Sequence, residues 1–211
     1  PYYYYYGNAG KRKAVEQFFL MILTEEKPQT LLLFSDEDMA WLYEDAAFTK
    51  RWAELFTRVI LKGNRVCIVH TISRNMNELL EAVMKWVPIY MTGAVEPFYY
   101  PRLRDGVLQR TMFIAPMTAA IISSSVQQDT NGMLNLFITD KAALEALTTE
   151  YERYHALCRP LMRVFTERDA DAFQKVLYGL SAAEGAAYLV CALPPLFSLP
   201  ESLAKELSEQ T

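Results

Sequence analysis

From Lys11 to Leu23 apolar residues recur every three or four positions, at Val15, Phe18, Phe19, Ile22 and Leu23, and this spacing predicts an amphipathic helix. Pro28 closes the connection. TLLLFS, Thr30 to Ser35, then reads as a short buried strand, without alternation because both of its faces are covered. Ser35 followed by Asp38 resembles a capping box and predicts the start of a helix that carries Phe48, Trp52, Leu55, Phe56 and Val59 and stops at Lys62-Gly63-Asn64. RVCIVHT, Arg65 to Thr71, is a second buried strand. Asn75 with Glu78 repeats the cap pattern ahead of a stripe through Met76, Leu79, Leu80, Val83, Met84 and Val87, punctuated by Pro88 and Gly93. VEPFYY, Val95 to Tyr100, predicts a third strand, which Pro97 places at an edge or a bulge.

The stretch RTMFIAPMTAAIISSS, Arg110 to Ser125, reads as two apolar strands folded about Ala115-Pro116-Met117. LNLFIT, Leu134 to Thr139, follows the turn Asp129-Thr130-Asn131-Gly132. Asp140 then caps a long helix through Leu144, Leu147, Tyr151 and Tyr154 towards Cys158, which Arg159-Pro160 ends. From about Thr166 the pattern is helical. Phe173, Val176, Leu177 and Leu180 form one stripe, Ser181 with Glu184 caps another helix, and Pro194-Pro195 breaks it. Strands alternating with helices, then a run of strands, predict an α/β fold. Its mixed, partly parallel sheet is flanked by helices, with a helical extension at the C-terminus.

Three regions follow: 1–13 as a linker from a missing N-terminal module, 14–165 as the α/β domain and 166–211 as the extension. The chain opens on Pro1 rather than Met, so it is expected to be a piece of a longer protein. Tyr2 to Tyr6 is expected to be a linker that docks on a neighbour, and Lys11-Arg12-Lys13 a solvated helix start.

Composition narrows the partners. With 52% apolar residues in 211, the chain can bury a sizeable core. A formal charge of −4 gives no electrostatic reason for direct contact with nucleic acid. Cys67, Cys158 and Cys191 are scattered, without CxxC spacing. They argue against a disulfide framework and a zinc site, and for a reducing cytoplasm. No apolar run is long enough to span a membrane. The eight glycines never form a phosphate-binding loop, and no cofactor is expected.

The order of elements, with a hairpin ending in Ser-Ser, resembles a phospholipase D-like domain. In that family the hairpin carries H-x-K-x4-D-x6-G-S. Laid over this chain, the histidine falls on Arg110, the lysine on Met112, the aspartate on Met117 and the Gly-Ser on Ser124-Ser125. Only the serine is kept, so the resemblance implies an inactive homologue. LLLFSDEDMAWL, KGNRVCIVHT and FIAPMTAAIISSSV also look like the non-catalytic C-terminal portion of bacterial helix-turn-helix regulators. That resemblance implies a homodimer that meets DNA only through an N-terminal module.

The remaining chemistry is sparse. Phosphodiester cleavage of the family's kind needs a histidine nucleophile with lysine beside it. This chain has two histidines, His70 and His155, too far apart for a metal site. His155 reads as a helix residue. Asp36, Glu37 and Asp38 read as first-turn acids that complement a helix dipole. His70 stands at the C-terminal end of a parallel strand, where open α/β sheets bind ligands. Ser73 and Arg74 follow it ahead of a helix N-terminus, a plausible anion site. Arg110, Ser124 and Ser125 are expected to converge on the same crevice, with Tyr99 and Tyr100 as an aromatic wall. The reading is thus an effector-sensing or oligomerisation domain with an anionic small-molecule effector. A protein-interaction scaffold and a diverged phosphodiesterase using His70 are the alternatives.

Overall fold

The computed structural model describes residues 2–71, 84, 86–102, 105–162, 165, 169–182 and 185. Contacts divide the chain into two units, Pro1–Val164 and Phe165–Thr211. The first contains β1 (Tyr2–Tyr6), α1 (Gly7–Thr24), β2 (Thr30–Ser35), α2 (Ala40–Tyr43), α3 (Ala46–Leu61) and β3 (Arg65–His70). It continues through β4 (Val95–Tyr99), β5 (Leu108–Ala115), β6 (Ala119–Val126), β7 (Leu134–Ile138), α4 (Lys141–His155) and β8 (Arg159–Pro160). In the second unit α5 spans Ala170–Ser181. The helix expected after Asn75 lies largely outside the described residues, although 86–90 are helical. The cap expected at Ser181 with Glu184 and the break at Pro194-Pro195 also fall outside them.

One eight-stranded sheet runs in the order β1-β7-β6-β5-β2-β3-β4-β8. β2, β3 and β4 are parallel, and the other pairings are antiparallel. The unalternating strands behave as expected of strands covered on both sides. In β2, Leu31 and Leu33 join the core beneath α1 and α3, with Phe18, Ile22, Leu55 and Val59. Phe34, one residue on, faces the opposite core with Val69, Met112, Ile114, Leu144 and Tyr151 beneath α4. Each such side chain taken fully out of water contributes about 1.5–3 kcal/mol. The Tyr151 hydroxyl closes the α4 side by donating to the backbone oxygens of Cys67 (2.9 Å) and Leu33 (3.2 Å).

The hairpin β5–β6 is pinned at its turn. Buried Gln29 donates from Nε2 to Thr118 Oγ1 (2.7 Å) and accepts at Oε1 from the Met117 backbone N–H (3.1 Å).

Three expectations are corrected. The tyrosine run is a regular strand: Tyr2–Tyr6 pairs with β7 as the outermost strand, and α1 begins at Gly7 directly after it. A tyrosine run shows no polar–apolar alternation, yet a strand at a sheet edge with one wet face accepts it. The helix carrying Trp52 does not start at Ser35. Asp38, one residue before the N-cap Met39 of the four-residue α2, accepts from Ala40 N (2.6 Å), and Asp45 caps α3, accepting from Phe48 N (3.0 Å). Finally, α4 ends at His155, and Arg159–Pro160 forms β8 against β4. Pro97 therefore lies in a strand paired on both sides. Its position remains tolerable because proline lacks only the donor, and its carbonyl accepts from Leu161 N (2.9 Å).

Candidate functional site

Lys11 is in helical phase with Val15, Phe18 and Ile22, so the turn that buries those three buries it as well. Its side chain is 0% exposed, and so is that of Glu37, its partner at 2.7 Å. Lys11 Nζ also donates to Thr111 Oγ1 (2.6 Å) and to Ser123 Oγ (3.4 Å). The Thr111 and Ser123 hydroxyls both donate to Glu37 Oε2 at 2.6 Å. Since the Thr111 proton is used on Glu37, the Ser35 hydroxyl is the donor across its 2.8 Å contact with Thr111. Glu37 Oε1 is buried without a partner among the described residues. Burial lowers the Lys11 pKa, with Glu37 opposing. Burial pushes the Glu37 carboxyl up, but Lys11 and the two hydroxyls outweigh it and hold it below the usual range.

Above this cluster, the C-terminal ends of β2 and β3 open into a cavity of about 330 Å³. Val15, Phe18 and Phe19 of α1 form one wall, with Trp52 of α3 and Trp86. Met39, Trp41 and Tyr43 form another, on the segment that begins with Glu37. Ser35, His70 and Thr71 supply the polar floor, and no Lys, Arg, Asp or Glu is among the described lining residues. The rings interlock: Trp52 meets Trp86 edge-on at 6.0 Å, Trp86 stacks on Tyr90 at 6.2 Å, and His70 meets Trp86 at 5.6 Å.

His70 Nε2 lies 2.6 Å from the Tyr90 hydroxyl. Burial pushes the His70 pKa down to about 4 and raises that of Tyr90, so near neutral pH the imidazole is uncharged and the phenol protonated. With Tyr90 as donor, the histidine proton sits on Nδ1. The indole Nε1–H of Trp41, itself 2% exposed, has no acceptor among the described residues.

His70 and Arg110 do not share a crevice. His70 faces the α1 side, whereas Arg110 and Met112 face the α4 side, because alternate residues of a strand point to opposite faces. Arg110 pairs with Glu150 of α4 and, with Tyr100 and Tyr154, borders a separate cleft. Met112 is 4% exposed in the α4-side core, and Met117 is exposed in the hairpin turn. Ser124 stands opposite Arg110 in register and is exposed, while Ser125 is buried with its hydroxyl unpartnered among the described residues. Tyr99 stands beside His70 in the β3–β4 register. Ser73 and Arg74 lie outside the described residues. Among the described residues no cluster of His, Cys, Asp or Glu has metal-binding geometry, and no helix is long and apolar enough to cross a membrane.

Reading the sequence alone missed Lys11 and Glu37. The signal was present: a lysine four residues before Val15 and seven before Phe18 shares the buried stripe. The three tryptophans, each on a different segment, carried no linear signal.

No family model matches the chain, and no curated protein matches it by sequence. Solved structures do. TrmBL2, an archaeal chromatin protein whose structure shows a mode of DNA binding, superposes with a TM-score of 0.51 at 13% identity. That match covers 76% of this chain and 55% of the TrmBL2 chain, so this chain spans little more than half of that protein's length. NucT from Helicobacter pylori superposes with a TM-score of 0.51 at 11% identity, over 76% of this chain and 99% of NucT. Nuc from Salmonella typhimurium, a phospholipase D family member, gives 0.49 at 12% identity, over 77% and 99% of the two chains. At these identities the likeness to TrmBL2 and NucT is one of fold: a mixed, partly parallel sheet flanked by helices.

Proposed function

We propose that the chain is a non-catalytic regulatory domain of a bacterial helix-turn-helix transcriptional regulator, cytoplasmic and homodimeric, and that its cavity takes a small effector. The observation that carries this reading is a connection. The cavity wall bearing Met39, Trp41 and Tyr43 begins at Glu37, and Glu37 is tied by a fully buried ion pair to Lys11 in the second turn of α1. A ligand that favours one position of that wall biases α1 and the β1 strand before it, which is the coupling a DNA-reading module would need. The hairpin adds support against hydrolysis: Arg110 is engaged with Glu150 and Met112 is core, so neither supplies the nucleophile or the phosphate clamp. TrmBL2 offers a parallel for this fold in a protein that binds DNA. An exposed edge on β1 supports self-association.

The test is the intact mass of the endogenous protein, with sequencing of the peptide that precedes Pro1. An upstream helix-turn-helix is expected, and a native chain that starts at Pro1 and retains no DNA sinks the reading. Turnover of bis(p-nitrophenyl) phosphate that disappears in His70→Ala would put an enzyme in its place.

A further inference from the structure

The walls of the cavity say what class of molecule it takes. All three tryptophans of the chain, Trp41, Trp52 and Trp86, line it. They stand with phenylalanine rings from α1 and β5, and flat walls of this kind select flat ligands. Its volume is at the lower end of the range for small-molecule pockets, room for a small ring system and little more. No charged side chain is among the described lining residues, and His70 adds no charge near neutral pH. An ion brought there would lose hydration that no charged group among the described lining residues replaces.

We propose that the cavity is a binding site for a small, uncharged, planar aromatic molecule, in place of the anionic effector expected from the sequence. The proposal rests on the regulatory reading for its biological meaning, but its test does not use DNA.

The measurement is a titration of the purified chain with N-phenyl-1-naphthylamine, an uncharged probe, beside 1-anilinonaphthalene-8-sulfonate, which has the same rings and a negative charge. Energy transfer from tryptophan to probe reports binding, and its loss in the cavity-filling variants below assigns that binding to the cavity. The expected result is saturable one-to-one binding of the uncharged probe, with the sulfonate at least about tenfold weaker. Filling the cavity with Ile68→Phe, at a half-buried strand position, is expected to weaken the uncharged probe about tenfold or more without changing the circular dichroism. Met39→Trp, on the wall segment, is the second filling variant if the first does not fold. Equal or tighter binding of the sulfonate overturns the ligand class. Absence of saturable binding, or binding unchanged in a folded filled variant, overturns the site. In each of those cases an upstream helix-turn-helix found by intact mass leaves the regulatory reading standing, whereas probe binding in a chain without one leaves the pocket and removes the regulator.

Discussion

Two ion pairs, one on each face of the sheet, are built on opposite principles. Beneath α1, Lys11 and Glu37 are 0% exposed and share two hydroxyl partners, Thr111 and Ser123, with Ser35 bonded to Thr111 behind them. Beneath α4, Arg110 and Glu150 sit at the surface, 33% and 49% exposed. Both pairs engage β5, through adjacent residues Thr111 and Arg110. The pleat sends one inward to a dry network and the other outward to water. A charge kept in a dry interior must be matched by fixed partners, so the α1 face is the constrained one. It is also the face with the cavity.

The largest expected effect breaks the buried pair. Lys11→Met leaves the Glu37 carboxylate without its cation and should cost about 3–5 kcal/mol in urea unfolding. Lys11→Met combined with Glu37→Leu should recover most of that loss. A double variant as unstable as the sum of its parts would show that the hydroxyl network, not the charge, sets the cost.

Acid comes next. His70 has a folded pKa of about 4 against 6.5 for a free histidine, so between those values the unfolded chain binds a proton that the folded one does not. Stability is therefore present above pH 6.5 and falls as the pH drops towards 4, by on the order of 3 kcal/mol for this group. Glu37, held below its usual range, adds loss in the same direction at lower pH. A series of unfolding curves across this window should flatten in His70→Phe. An unchanged slope in that variant would place the titration elsewhere.

The α4 face answers more mildly. Tyr151→Phe removes the hydroxyl shared by Leu33 and Cys67 and should cost about 1–2 kcal/mol by chemical denaturation. Arg110→Ala should cost under about 1 kcal/mol, because water and salt already screen a pair this exposed. An Arg110 effect as large as that of Lys11 would erase the distinction between the faces.

Periodicity made the layers legible. The stripe of α1, the unalternating β2 and β3 and the Asp140 cap of α4 all stand where local pattern puts them. Two kinds of feature escaped. Tyr2–Tyr6 carried no alternation, because tyrosine is apolar along its ring and polar at its tip and suits either face. The buried pair joins positions 26 apart, and nothing local marks Glu37 as anything but one of three neighbouring acids. The site was half legible for the same reason. His70 at the strand end was visible, but which side of the sheet it shares with Arg110 depends on register, and register is set by partners distant in the chain.

The outermost strand has a further consequence. Five identical side chains contain no alignment information: sliding β1 by two residues along β7 puts tyrosine where tyrosine was and keeps each face as it is. What breaks the degeneracy is the mark at the end of the run. Gly7 takes a left-handed turn at φ 61°, donates its N–H to Met133 O at 2.8 Å, and returns its own carbonyl to Asn135 Nδ2 at 3.2 Å. A side chain at position 7 would strain that turn by roughly 1–2 kcal/mol and would free the strand to occupy several offsets of nearly equal energy. The address of the first strand is thus written in a single glycine.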